Sequence, residues 1–189
     1  MRLAKNLERL GTESAFSILA EAKKLEAQGK EMIHLGLGQP DFKTPQHIMD
    51  AAKKAIDDGH HGYVLANGIL ECRQSVSRKI KSLYKKDIDP ERIMIMPGGK
   101  PTMYYAIQMI GEPGAEIVHP TPGFPIYESM INYTGAKAVP YDLTKEKDLK
   151  FDPEKILSLI TDKTRLVILI NPNNPTGSFV EKSAIDFLA

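Results

Sequence analysis

Leu166-Val167-Ile168-Leu169-Ile170-Asn171-Pro172-Asn173-Asn174-Pro175-Thr176-Gly177 is the stretch that decides the fold. Its first five residues read as a buried strand, and the strand runs straight into an asparagine-rich turn. Open α/β sheets bind ligands at the carboxyl ends of their strands, so the turn stands where a ligand is expected. Two prolines remove backbone freedom and Gly177 permits a positive φ. A turn this constrained holds two carboxamides, those of Asn173 and Asn174, in fixed positions.

Upstream of this stretch, strands alternate with helices. Arg92–Met96 is predicted as a strand, turning through Pro97-Gly98-Gly99-Lys100-Pro101 into a helix over 102–110. Glu116–His119 is a strand, followed by Pro120-Thr121-Pro122-Gly123 and a helix over 125–133. Ala136–Tyr141 is a strand. Asp152-Pro153 caps a helix reaching Ile160, Arg165–Ile170 is the last strand, and a final helix opens at Glu181. Strands separated by helices of this length predict an α/β fold, a parallel-rich sheet with helices on both faces.

Before Arg92 the pattern is more helical. Phe16, Leu19 and Lys23, with Ile18, Ala22 and Leu25, recur at helical spacing over 12–28, and Gly29 stops the helix. Glu31–Leu35 reads as a short strand entering Gly36-Leu37-Gly38-Gln39-Pro40-Asp41-Phe42. Thr44-Pro45 reads as a helix start, with Thr44 as the capping residue and proline at the first position. That helix runs to Gly59, a loop covers 60–68, and another helix covers 70–84. The change near Thr44 divides the chain into an N-terminal arm with a small-domain segment, 1–44, and a partial large domain, 45–189.

Composition narrows the function classes. In 189 residues, 25 basic and 24 acidic side chains nearly cancel, so charge gives no case for nucleic acid or an anionic membrane. One cysteine, Cys72, excludes an internal disulfide framework and fits a reducing compartment. No apolar run approaches the roughly 20 residues of a membrane span. The charged N-terminus lacks a signal-peptide core. A soluble cytoplasmic protein is expected. His60 and His61 are adjacent and present no metal site, so no metal is assigned.

Several short motifs carry chemistry. Gly98-Gly99-Lys100-Pro101-Thr102 joins a strand to a helix, and free N–H groups at a helix start attract phosphate. Alone it is equally an ordinary turn, and it matches neither a nucleotide P-loop nor a dinucleotide fingerprint. Phe124 stands at the mouth of the next helix, where a flat heteroaromatic ligand would stack on its ring. Without its neighbours Phe124 reads as core. Asn173 and Asn174 are common turn residues that also donate hydrogen bonds to an oxyanion. Tyr63 reads as a surface phenol or a donor to phosphate.

Taken together and in this order, the motifs resemble those of the class I aminotransferases, the fold-type-I enzymes that use pyridoxal 5′-phosphate (PLP). The resemblance extends over essentially all of the chain. It implies that Asn171–Gly177 is the family's Asn-Pro-x-Asn-Pro-Thr-Gly signature, with Asn174 bonding the cofactor's 3-hydroxyl oxygen and also contributing to substrate binding. Gly98, Gly99 and Lys100 would cradle the phosphate, and Phe124 would stack on the pyridine ring. Leu35–Phe42 looks like the leading substrate loop, with a backbone N–H near Gly38 meeting the substrate's α-carboxylate. Tyr63, with Gly68 and Arg73, looks like the block whose tyrosine reaches the cofactor phosphate of a second subunit. Two departures stand out: Pro101 lacks an N–H, and Cys72 replaces a bulkier apolar residue.

The same resemblance implies what this chain does not carry. The family's Schiff-base lysine lies well downstream of the asparagine signature, so no catalytic residue is assigned here. The last helix, with Ala184, Ile185, Phe187 and Leu188 on one face, reads as unfinished. The chain is therefore expected to be the amino-terminal portion of an enzyme moving an amino group between an amino acid and a 2-oxo acid, inactive alone. A carbon–sulfur lyase, a cyclopropane-forming synthase or a non-catalytic interaction module are the alternatives, since fold and cofactor do not fix the reaction. A homodimer is expected, both from Tyr63 and from the apolar face of 184–188.

Overall fold

The computed structural model describes residues 2–11, 14–143 and 149–189. By internal contact the chain divides into two compact units. One comprises residues 17–98, and the other combines the N-terminal residues through Phe16 with residues 99–189. Helix α1 (Ser14–Ala27) starts in the second unit and runs into the first. The predicted start of this helix at Thr12 lies outside the described residues.

The 99–189 unit holds the sheet. Its elements follow in the order α4 (Gly99–Ile110), β1 (Glu116–Thr121), α5 (Ile126–Thr134), β2 (Lys137–Asp142), α6 (Pro153–Leu159), β3 (Thr164–Val167) and α7 (Lys182–Leu188). The three strands are parallel in the order β2-β1-β3. Val118 of the central strand faces Val139 on one side and Val167 on the other.

Successive side chains of a strand point to opposite faces, and β1 uses both. Ile117 packs in a cluster with Ile107 of α4, Met130 and Ile131 of α5, and Ile168. Its neighbour Val118 packs with Tyr141, Leu143 and Ile156 of α6, and Leu188 of α7 lies against that cluster. The sheet is therefore covered on both faces, as the strand–helix alternation predicts. β1 is buried from Glu116 to Pro120, so its two faces are both covered and its Glu116 and His119 lie inside with Ile117 and Val118.

Local signals set the boundaries. Asp152 accepts a hydrogen bond from the Lys155 amide at 3.2 Å, with Pro153 opening α6, as the sequence predicts. Gly135 ends α5 in the left-handed conformation, φ 88°. The N-terminal 3-10 turn Lys5–Arg9 is tied onto α5: the Arg9 guanidinium donates to the Tyr133 carbonyl at 2.8 Å, and the Gly11 amide donates to Ser129 Oγ at 3.0 Å.

The 17–98 unit is built on α2 (Gln46–Asp57) and α3 (Leu70–Tyr84). Arg73 of α3 is its buried post. It donates to the carbonyls of Gly68 and Pro90 at 3.1 and 3.0 Å and pairs with Glu91 at 2.7 Å. Gly68 has φ 94°, and a β-carbon there would stand 2.9 Å from Ile95 Cβ, so this turn admits only glycine.

Several expectations are corrected here. Glu31–Leu35 and Arg92–Met96 form no strands, because neither segment meets a partner that would complete a ladder. Thr44 does not cap α2; Pro45 holds the cap position and no side chain satisfies the first turn. Helix α4 begins at Gly99, three residues earlier than the periodicity suggests, so Gly99 and Lys100 belong to its first turn. The β3 ladder ends at Val167, with one further bond from the Ile168 amide to the Val118 carbonyl at 2.8 Å.

Candidate functional site

β1 lies between β2 and β3 and pairs in parallel with both, so the segments that leave the carboxyl ends of β1 and β3 start from neighbouring strands. Open parallel sheets take ligands beyond the carboxyl ends of their strands. The segment after β1 is Pro122-Gly123-Phe124, and the segment after β3 is the turn 171–178. Both carry cis peptides, at Thr121–Pro122, Asn171–Pro172 and Asn174–Pro175.

The two adjacent asparagines do different things. Asn173 is buried. Its Nδ2 donates to Thr176 Oγ1 at 2.9 Å and to the Pro122 carbonyl at 3.4 Å. Its backbone N–H donates to the Ser178 carbonyl at 2.8 Å, and its carbonyl accepts from the Gly177 amide at 2.7 Å. Thr176 Oγ1 also accepts from the Ser178 amide at 3.3 Å, so its two lone pairs are used and its own proton goes to Ser178 Oγ at 2.7 Å. Asn171 Oδ1 accepts from the Val180 amide at 3.2 Å, closing the base of the turn. Asn174 is exposed, and its carboxamide makes no hydrogen bond to another of the described residues. The turn is thus braced by Asn171 and Asn173 and presents Asn174.

Phe124 is half-buried, edge-on to Tyr127 with ring centroids 6.3 Å apart. Gly123 before it cannot be replaced without rearrangement, since a β-carbon would lie 2.4 Å from the Pro120 carbonyl oxygen. The Lys100 ammonium lies 5.6 Å from the Phe124 ring centre and 4.9 Å from that of Phe16. Lys100 therefore brings the start of α4 to the ring in the segment that follows β1. Beside it, Gly99 has only Met103 Cε near its absent β-carbon, at 3.9 Å, and Gly98 has φ 94° with open space around it.

Within the 99–189 unit the structure brings together Lys100, Phe124 and the braced Asn173–Asn174 turn. Gly38, Tyr63 and Gly98 belong to the 17–98 unit. Gly38 has open space around its α-carbon, and Tyr63 is fully exposed in the loop between α2 and α3.

Sequence reading missed the Asn173 brace, since a buried asparagine and an exposed one look alike in a turn. It also missed Phe16 as a ring over Lys100; the spacing of α1 shows only that this position lies on an apolar stripe. Further from the site, buried Glu116 accepts from Lys137 Nζ and Thr161 Oγ1, both at 2.8 Å. Lys137, then Thr161, hold its carboxyl below the ordinary carboxylate range. Burial lowers the pKa of His119 and raises that of the Tyr141 phenol, which donates to the Ile168 carbonyl at 3.0 Å.

The family pattern described as "Aminotransferase class I and II" matches residues 30–189. The chain belongs to this family. An aspartate aminotransferase of Bacillus subtilis is 36% identical over 177 residues, covering 94% of this chain and 45% of that protein. A (5-formylfuran-3-yl)methyl phosphate transaminase of Methanocaldococcus jannaschii is 35% identical, covering 98% of this chain and 48% of that one. Among solved structures, an aspartate aminotransferase from Thermus thermophilus with maleate superposes with a TM-score of 0.93 at 30% identity, covering 100% of this chain and 50% of that chain. This aminotransferase-family chain thus spans about half the length of the curated relatives it matches. Among the described residues, no helix is long and apolar enough to cross a membrane.

Proposed function

We propose that this chain forms the cofactor-cradling part of a PLP-dependent transaminase that moves an amino group between an amino acid and a 2-oxo acid. The observation that carries the reading is the meeting of Lys100, at the start of α4, with Phe124, beside a turn that presents an uncommitted carboxamide. A phosphorylated heteroaromatic needs these three things: amides and positive charge for the phosphate, a flat apolar face for the ring, and a donor for an anionic ring oxygen. The donor set therefore suits PLP.

Each residue then has a task. Gly98 and Gly99 allow close backbone approach to the phosphate, and the N–H groups of the first turn of α4 point toward it. Pro101 contributes none, and the Lys100 ammonium adds charge near that turn. Phe124 fixes the ring plane, and Asn174 donates to the 3-oxygen and stabilises its negative charge. The Gly38 backbone N–H meets a substrate α-carboxylate, and the Tyr63 hydroxyl donates to the phosphate in a partner subunit of a homodimer. When bound, PLP supplies the electron sink for chemistry at the substrate's α-carbon. No lysine of this chain is matched to the covalent position, so the chain alone holds the cofactor without turnover. The relatives' names span an amino acid and a furan phosphate as substrates, and the acceptor of this chain is left at the class of 2-oxo acids.

Binding of pyridoxamine 5′-phosphate, which has no aldehyde to label stray lysines, tests this. Titration calorimetry is expected to show tighter binding than inorganic phosphate. Asn174→Ala is expected to weaken it about tenfold, as loss of a hydrogen bond to a charged group does. Equal affinity for pyridoxamine 5′-phosphate and inorganic phosphate refutes the reading.

A further inference from the structure

We infer that Asn173 is the positioning residue of this site, setting the stacking ring of Phe124 against the carboxamide of Asn174. The inference rests on the cofactor reading above and assigns a role to a position that the family signature leaves variable. Phe124 and Asn174 sit on different loops, at the ends of different strands. Of the two asparagines between Pro172 and Pro175, the buried one donates to Pro122, two residues before Phe124. The same Nδ2 donates to Thr176 Oγ1, so one amide group ties its own turn and the neighbouring loop together.

The two functions of that amide are separable. Thr176 Oγ1 has a proton it can redirect; the Pro122 carbonyl has none. An aspartate at 173 keeps its shape and accepts from the Thr176 hydroxyl, but has no proton for Pro122. Asn173→Asp therefore cuts the link between the loops and retains the brace within the turn. Thr176→Val does the reverse: it removes the acceptor within the turn and leaves the Nδ2 bond to Pro122. Asn173→Ser, neutral and too short to reach Pro122, repeats the first cut without placing a charge in a buried position.

Two measurements on the 189-residue chain decide the matter. Hydrogen exchange of the peptide spanning Thr121–Tyr127, in which the Tyr127 amide donates to the Phe124 carbonyl at 3.1 Å, reads the link without any ligand. It is expected to rise in Asn173→Asp and Asn173→Ser and to stay at the wild-type level in Thr176→Val. Affinity for pyridoxamine 5′-phosphate is expected to fall about tenfold in both Asn173 variants, equivalent to ~1.4 kcal/mol. Affinity for inorganic phosphate is expected to stay within about twofold, because α4 is untouched. Unchanged exchange in both Asn173 variants overturns the inference, whatever the ligand results. So does an equal loss of phosphate and pyridoxamine 5′-phosphate binding, which marks general damage. A wild-type chain that shows no preference for pyridoxamine 5′-phosphate, with exchange behaving as expected, refutes the cofactor reading and leaves the link between the loops standing.

Discussion

The two units spend similar amino acids in opposite ways. In the sheet unit, Ile117, Val118, Ile131 and Ile156 are completely buried. In the 17–98 unit, Ile33 is 83% exposed, Leu35 90% and Ile56 67%, and only Ala22 and Arg73 are buried. Helices form in both units, whereas strands form in only one. A helix satisfies its backbone within its own turns, while a strand exists only where a neighbour takes its N–H and C=O groups. Apolar sequence is thus enough to mark a helix in the 17–98 unit and not enough to make a strand there.

The strongest way to break this contrast is a matched pair of truncations. Ile117→Ala opens a cavity at a site with no exposure and is expected to cost about 2–5 kcal/mol by urea unfolding. Ile48→Ala in α2 removes a half-exposed side chain and is expected to stay within about 0.5 kcal/mol. Comparable losses from the two would falsify the picture of one buried core and one open helical face.

Arg73 sharpens the same point from the other side, since it anchors the 17–98 unit by polar bonds rather than packing. Arg73→Met leaves the Gly68 and Pro90 carbonyls without their donor and is expected to cost about 1–3 kcal/mol. Exchange protection around Gly68 should fall in the same variant, and retained protection there would contradict the assignment of Arg73 as the post.

Helix capping gives a smaller contrast. Asp152→Ala removes the cap of α6 and is expected to lower stability by about 1 kcal/mol. Thr44→Ala, at the start of α2, is expected to have no measurable effect, because no side chain caps that helix. A stability loss at Thr44 equal to that at Asp152 would restore the cap that the sequence suggests.

The smallest effect is a pH dependence. Glu116 has a pKa lowered from 4.5, chiefly by Lys137, so its contribution is present above that value and is lost as pH falls through the lower folded-state pKa. Lys137 is 70% exposed, so solvent screens the pair. Melting temperature followed below pH 4.5 should decline less steeply in Glu116→Gln than in the wild type; parallel curves would show that the pair contributes nothing.

Much of the sheet unit was legible because its local and tertiary signals agree. Asp152-Pro153, Gly135 and the apolar runs around Ile117 and Ile168 each name their element without help. The segments 31–35 and 92–96 misled because β-propensity reports a fit to a sheet surface and says nothing about whether a neighbour is present. At the site, the residue types of Gly98–Lys100, Phe124 and Asn174 were readable as a set. The division of labour between Asn173 and Asn174 was not, since it depends on which amide finds Pro122 across a gap between two strands. The contact of Lys100 with Phe16 joins residues far apart in sequence and leaves no periodic trace.

The order β2-β1-β3 also fixes a sequence of events during synthesis. The central strand is the first of the three to be made, and β2 covers one of its edges soon afterwards. Its other edge waits until Thr164–Val167 emerges, after the whole of β2 and α6. At roughly 5–20 residues per second this leaves an open edge on the most deeply buried strand of the unit for seconds. That interval, more than the finished fold, is when nascent chains of this protein are most exposed to pairing with one another on a crowded polysome.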